Sequence, residues 1–366
     1  MEAERQQAQQ AFAESEQNIE LGSLHDFPLT LQQLKSTTEN SSYVVETFNS
    51  GLTAVVYHLQ IEGKSWTLKL KRKVSLVNNI DGQTSFLNEV QRRRDLAQLK
   101  KANPDNFKHI VDTQFASFRD GIILSPWIAG EPLTALNRDL FVQIFSAIMD
   151  LELSGLFEWD FCPGNILLDS NNEIKLFDFG YMYQFDPKKQ FNSNGQKTPL
   201  FHGIERFETR FFFDFILKNP LDLSSEALFS LYKIEKQCAL QIYQQKLQKL
   251  IELGADASVI AWQKAINQHW QTALLDDSAL KALYLLESFR SNLLDLLDDL
   301  HGQSCSPYTL QKADLVLNLT EQHFELIAAS DGFFFGDEKL SKKALIDKYS
   351  QFRQDAERFQ LKKSAD

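Results

Sequence analysis

From Tyr43 onward, β-branched and aromatic residues alternate with polar ones in three runs, Tyr43 to Phe48, Thr53 to Ile61 and Ser65 to Lys71. Asn49-Ser50-Gly51 and Glu62-Gly63-Lys64 separate the runs, and the pattern predicts three antiparallel strands joined by turns. Beyond Asp81-Gly82 the period changes. Phe86, Val90, Leu96 and Leu99 fall near helical spacing within Ser85 to Lys101, and Asn103-Pro104 predicts where that helix stops. His109 to Phe118 and Gly121 to Ile128 read as two more short strands, interrupted by Pro126 and Gly130. Residues 1 to 40 carry Gln, Glu, Ser and Thr, with large apolar side chains concentrated around Leu21, Leu24, Phe27, Leu29, Leu31 and Leu34. They predict a helical or partly mobile lead-in.

Downstream of Gly130 the apolar spacing is mostly three to four residues, in Asp139 to Leu153, Leu223 to Leu253, Ser258 to Leu275 and Leu280 to Leu300. Ser224 or Ser225 is suited to cap the long helix at its start and Gly254 to close its end. Ser306 to Asp366 predicts two or three helices and a charged tail. The expected architecture is α+β, a small strand-rich lobe followed by a larger helical one. Its expected divisions are an extension over 1–40, a nucleotide-binding lobe over 41–128, a helical lobe over 129–330 and a tail over 331–366.

Composition narrows the function classes. The 366 residues are 43% apolar and 24% charged, which excludes a disordered or collagen-like chain and suits one large or two modest domains. Lys and Arg number 38 against 49 Asp and Glu, so a net charge of -11 opposes nonspecific binding to nucleic acid or anionic membrane. Cys162, Cys238 and Cys305 have neither disulfide-framework nor zinc-knuckle spacing. With no signal-peptide pattern and no long apolar window, the expectation is a soluble cytoplasmic protein.

The richest window is Trp159 to Gly180, WDFCPGNILLDSNNEIKLFDFG. Asp160 precedes Asn165 by five residues in a Pro-Gly loop. Ile166-Leu167-Leu168 and Ile174-Lys175-Leu176-Phe177 form two short strand patterns, and Asp178-Phe179-Gly180 follows the second. A hairpin of this kind can aim Asp160, Asn165 and Asp178 at one spot, where two carboxylates and an amide carbonyl could hold Mg²⁺ and accept a hydroxyl proton.

This window resembles the protein-kinase-like superfamily, whose catalytic loop is x-x-D-x-x-x-x-N followed by D-F-G. The Pro163-Gly164-Asn165-Ile166-Leu167 run is similar to the aminoglycoside phosphotransferase and choline-kinase branch. The resemblance implies a bilobal kinase-like fold and transfer of the ATP γ-phosphoryl group, with Mg²⁺, to a small-molecule hydroxyl. A protein Ser/Thr kinase and a catalytically silent nucleotide-binding scaffold are the alternatives. It implies Asp160 as catalytic base and Asn165 and Asp178 as metal ligands. Lys69 is implied as the phosphate-pairing lysine, with Lys71 on the same strand face as its competitor, and Glu89 as the carboxylate that fixes it. ATP contacts are implied at Ser50, Gly51 and Thr53 in the first turn and at Ser125, Trp127 and Ile128 in the hinge.

Departures accompany the matches. Glu158 stands where the catalytic-loop His is usual, and Trp159 where an Arg would read a phosphorylated loop. Thr198, Pro199 and Glu205 match the end of a protein-kinase activation segment, which keeps a protein acceptor open. Arg92-Arg93-Arg94 and Lys71-Arg72-Lys73 are expected to be solvated faces. Phe211-Phe212-Phe213 is expected in the core, and Phe333-Phe334-Phe335 in the core or as an anchor for the tail.

Overall fold

The computed structural model describes residues 2–77, 79–219 and 226–361. The alternating segment forms β2 (Val44–Phe48), β3 (Ala54–Ile61) and β4 (Lys64–Lys71). With β1 (Glu20–Gly22), β5 (Phe115–Ser117) and β6 (Ile122–Pro126) they make a six-stranded antiparallel sheet in the order β1-β5-β6-β4-β3-β2. The strand bearing Lys69 is therefore interior, its register fixed on both sides by Val56 opposite Lys69 in β3 and Ile123 opposite it in β6. One sheet face packs Tyr57, Leu59, Leu68, Ile122 and Leu124 with Leu34 of α2 (Leu31–Lys35). The other packs Ala54, Ala116 and Ile123 against Phe86, Leu87 and Val90 of α3 (Ile80–Ala102). Each Leu, Ile, Val or Phe among them removed from water contributes about 1.5–3 kcal/mol, so sheet and helix hold each other in place.

The lead-in takes its helical alternative, α1 (Glu2–Glu14) packing Phe12 and Ala13 on the second core, with a short strand added where β1 pairs with β5, and two other local expectations shift for identifiable reasons. Arg119 caps the end of α1 by donating to the carbonyls of Phe12, Ala13, Ser15 and Gln17. Helix α3 starts at Ile80, before Asp81-Gly82, because the Asn79 side chain accepts from the Gly82 N–H at 2.7 Å and caps it there. The strand expected from His109 is confined to β5. His109 and Val111 instead bond Leu176, at 2.7 Å and 3.1 Å.

By internal packing the chain divides into two compact units, one of Met1–Ala135, Ser146–Asp160 and Gly164–Thr198, the other of Leu136–Phe145, Phe161–Pro163 and Pro199–Asp366. In the first unit, β7 (Gly130–Pro132), β9 (Ile166–Asp169) and β10 (Ile174–Leu176) form a three-stranded ladder, and β8 (Leu156–Glu158) pairs with β11 (Met182–Gln184). Helix α4 (Arg138–Leu153) crosses the division.

The second unit is helical: α5 (Gly203–Phe207), a π-helical turn (Glu208–Phe212), α6 (Phe213–Lys218), α7 (Glu226–Glu252), α8 (Ala257–Ala273), α9 (Asp277–Gly302), α10 (Pro307–Ala329) and α11 (Lys342–Arg358). Gly254, at φ +69°, ends α7, with the Ala255 N–H reaching the Leu250 carbonyl at 3.0 Å. The expected Ser224 or Ser225 cap lies outside the described residues. Phe211, Phe212 and Phe213 are buried, whereas the second triplet divides, Phe333 buried and Phe335 exposed. Inside this unit Lys236 is buried with Glu208 at 2.5 Å and Glu287 at 2.6 Å. The mixed α+β architecture, β-rich first and helical after, is the one expected.

Candidate active site

Two short ladders in the first unit set the positions of the chemistry-bearing residues. In one, Ile166 faces Leu176 and the Phe177 N–H donates to the Asn165 carbonyl at 3.2 Å, which sets Asn165 beside the residue preceding Asp178. In the other, Glu158 faces Met182 and the Trp159 N–H donates to the Tyr181 carbonyl at 3.3 Å, so Asp160 continues along a strand whose partner runs back to Gly180. These pairings tie the backbone at Asn165 to the residue before Asp178 and the backbone at Trp159 to the residue after Gly180. The Asn165 side-chain amide donates to the Asp160 carbonyl at 2.9 Å, closing the loop on itself.

Lys69 connects this stretch to the sheet. Its Nζ lies 2.6 Å from Glu89 Oε2 and 3.0 Å from Asp178 Oδ2. Burial alone would lower the ammonium pKa, but Asp178 and Glu89 outweigh it and hold the pKa above its ordinary value. The Asp178 carboxyl is pushed up by desolvation, then pulled below the usual range by Lys69, Arg93 and the Gly180 N–H. Asp178 has φ +66°, a backbone conformation uncommon for a residue with a Cβ, yet 43% of its side chain remains open to solvent. The carboxylate is thus held half-open between a buried lysine and a hairpin. Lys71 points elsewhere, its ammonium 4.7 Å from the Phe118 ring centroid.

The residues expected to contact ATP are distributed unevenly. The Asn49-to-Thr53 turn is clamped from behind by Arg72, whose guanidinium donates to the Gly51 carbonyl at 2.8 Å and the Asn49 carbonyl at 2.6 Å. A Cβ at Gly51 would fall 2.5 Å from the Ala54 oxygen, so this tight turn requires glycine. Ser50 is exposed, and Gly51 and Thr53 are half-buried. In the hinge, the Trp127 N–H is already bonded to the Ser65 carbonyl at 3.1 Å and Pro126 has none to give. The Ser125 hydroxyl faces Arg93 at 3.3 Å. Ile128 follows, its carbonyl accepting from the Gly130 N–H at 3.0 Å. The Trp127 ring stacks on His58 with centroids 3.8 Å apart.

Glu158 is buried, and its Oε1 accepts from the Asp160 N–H at 2.8 Å while Oε2 has no hydrogen-bond partner. Burial, opposed by that N–H and reinforced by the charges of Asp160 and Asp178, raises its pKa well above the carboxylate range. Glu158 thus holds the backbone at Asp160 with a carboxyl whose ionisation burial disfavours.

The donor set fits a hard divalent cation. Asp178 offers carboxylate oxygens, and Asn165, with its NH₂ turned to Asp160, offers its amide oxygen. Among the described residues no cluster of three or more His, Cys, Asp and Glu could hold a metal on its own. Mg²⁺ is commonly bound by one or two protein side chains together with substrate phosphates and water, a pattern these two side chains would suit.

Sequence reasoning missed part of the supporting shell. Arg92 and Arg93 are buried, at 7% and 3% exposure, and do not form a solvated face. Arg92 pairs with Asp95 at 2.9 Å and Arg93 with Glu89 at 3.0 Å, pairings that offset part of the desolvation of buried guanidinium groups. The i,i+4 spacing of Glu89 and Arg93 was the available signal. Asn88 was also missed. Its amide donates to the carbonyls of Gly180 at 3.0 Å and Met182 at 2.7 Å, fastening the segment after Asp178 to α3.

Comparison with known proteins gives partial matches. The chain is 30% identical over 178 residues to the probable serine/threonine-protein kinase MARK-A of Dictyostelium discoideum, covering 46% of this chain and 16% of that protein. It is 31% identical over 98 residues to the serine/threonine-protein kinase RUNKEL of Arabidopsis thaliana, covering 24% and 7%. It is 25% identical over 128 residues to serine/threonine-protein kinase 36 of Pongo abelii, covering 32% and 10%. The chain thus spans less than a fifth of the length of each of these relatives. No family profile matches it. Together the matches support a protein-kinase-like superfamily and a kinase-like phosphotransferase; they give no specific support to the aminoglycoside phosphotransferase and choline-kinase branch.

Proposed function

We propose that this protein transfers the γ-phosphoryl group of ATP, with Mg²⁺, to the Ser or Thr hydroxyl of a protein. The observation that carries this reading is the dual contact of Lys69, whose Nζ meets Glu89 at 2.6 Å and Asp178 at 3.0 Å. A lysine so held presents a fixed positive charge to phosphate oxygens, and its raised pKa keeps it charged at neutral pH. Asp178 and Asn165 would hold Mg²⁺, which, when bound, neutralises charge on the transferring phosphate.

Asp160 would orient the acceptor hydroxyl and take its proton as the oxygen attacks the γ-phosphorus. The bond from that phosphorus to the β–γ bridging oxygen breaks, and ADP leaves with the electron pair. Asp160 is kept in position by the Asn165 amide at its carbonyl and by Glu158 at its N–H. The Ile128 N–H would receive the base, and the turn at Ser50, Gly51 and Thr53 would lie over the phosphates.

The protein acceptor is favoured by the serine/threonine-kinase relatives. A small-molecule hydroxyl is the second reading, favoured by the Pro163–Asn165 turn, a short 3₁₀ helix that resembles the loop of small-molecule phosphotransferases. Incubation with γ-labelled ATP and Mg²⁺, against a Ser/Thr peptide library and separately a metabolite pool, tests both. Label in peptides is expected. Label confined to metabolites would replace the acceptor, and ATP binding without label in either pool would indicate a silent scaffold.

A further inference from the structure

We infer that Arg93 is a positioning residue for phosphoryl transfer, an internal counter-charge that fixes Glu89 and Phe179 so that Lys69 and Asp178 stay aligned; the inference rests on the phosphotransferase reading of that site. Arg93 lies one helical turn after Glu89 on α3 and is only 3% exposed. Its Nη2 donates to Glu89 Oε1 at 3.0 Å, while Lys69 holds the other oxygen, Oε2, at 2.6 Å. Both lobes of the Glu89 carboxylate are thus committed and its rotamer is fixed from two sides. The same guanidinium sends Nη1 toward the hydroxyls of Ser125 at 3.3 Å and Thr113 at 3.4 Å, and its centre lies 5.4 Å from the Phe179 ring centroid. One side chain therefore touches the lysine's partner, the hinge strand, the loop before β5 and the residue following Asp178.

Charge balance explains why a guanidinium is buried here. Buried Lys69 and Arg93 are two positive charges facing buried Glu89 and the half-open Asp178, so the four side chains balance in charge. Without Arg93 a single lysine would face two carboxylates, and the net negative charge would repel phosphate oxygens. Burying a guanidinium is costly, and an apolar residue would fill the same space without that desolvation. Its planar fork can engage Glu89 and two hydroxyls at once, which neither an apolar side chain nor a point-charge ammonium reproduces in full.

The test compares the full chain with Arg93→Met, of similar length and able to lie on Phe179, and Arg93→Lys, which restores charge without the fork. Hydrogen exchange is read first, without ligand: in Arg93→Met residues 177–184 exchange faster while β4 keeps its wild-type protection, and Arg93→Lys recovers part of the difference. Kinetically, Arg93→Met loses about 10- to 100-fold in kcat/KM for ATP with the acceptor KM unchanged, and Arg93→Lys lies between. Wild-type exchange over 177–184 in Arg93→Met, or faster exchange spread evenly over the sheet, would overturn the inference. A wild-type protein that turns over no acceptor would instead refute the phosphotransferase reading, with the exchange comparison still deciding the role of Arg93.

Discussion

Gln9 donates from Nε2 to the Asn88 amide oxygen at 3.1 Å, joining the first helix of the chain to the side chain that grips the backbone beyond Asp178. Gln9 Oε1 also accepts from the Thr84 hydroxyl at 3.3 Å, and Arg5 on the same helix pairs with Asp81 at 2.8 Å. Helix α1 is therefore part of the support for the site, through α3.

Replacing Gln9 by Ala leaves the Asn88 oxygen and the Thr84 hydroxyl without this partner in a buried setting, at a cost of about 1–3 kcal/mol. Urea unfolding is expected to register that loss, together with faster hydrogen exchange over residues 179–182. Unchanged exchange there would show that Asn88 is oriented without help from α1.

Glu158 predicts a pH signature. Burial holds its folded pKa well above the ordinary carboxylate value of about 4.5, so the folded state keeps a proton that the unfolded chain releases above that pH. Stability contributed by this group is full below about 4.5 and declines as pH rises toward the folded pKa. Glu158→Gln keeps an oxygen for the Asp160 N–H and should flatten that decline while preserving phosphoryl transfer. A steeper decline in the Gln variant, or loss of transfer, would mean that the ionised carboxylate is needed.

His202 predicts the opposite slope. It caps α5, its Nδ1 accepting from the Glu205 N–H at 3.1 Å. Burial first, then Lys246, Lys236 and Arg290, hold its pKa well below 6.5. The unfolded chain takes up a proton near 6.5 that the folded state refuses, so stability is full above that pH and is lost as pH falls through it. Thermal midpoints from pH 7.5 to 5.5 should fall in the wild type and less in His202→Asn, which retains a capping acceptor. Parallel curves would remove His202 as the source.

Gly180 is set by close approach. A Cβ there would lie 3.2 Å from the Ser85 Cβ and 3.5 Å from the Ser85 oxygen on α3. Gly180→Ala is expected to destabilise by about 1–3 kcal/mol through overpacking. Adding Ser85→Gly should recover part of this in a double-mutant cycle, beyond the roughly 1 kcal/mol that glycine costs in a helix. Strict additivity of the two changes would place the strain elsewhere.

The strands around Lys69, the helix bearing Glu89 and the hairpin from Asn165 to Asp178 were legible because their signals are local: period-two alternation, helical spacing, and a five-residue step from Asp160 to Asn165. The supporting shell was not. Gln9 meets Asn88 across 79 positions and Asn88 meets Gly180 across 92, distances over which periodicity carries no information. Strand β1 was hidden for a related reason, since its three residues acquire strand character only by pairing with β5. Arg93 was misread because a run of three arginines looks like a solvated face until its acidic partner, its two hydroxyls and the Phe179 ring are assembled around it.

Calorimetric titration of ATP into the protein, with and without Mg²⁺ and in parallel with Asp178→Asn, tests the central claim most directly. The predicted result is Mg²⁺-dependent binding by the wild type that weakens by at least about tenfold in the variant while the thermal midpoint stays close to that of the wild type. Equal affinity in both proteins, or no binding of ATP by the wild type in the presence of Mg²⁺, would contradict it.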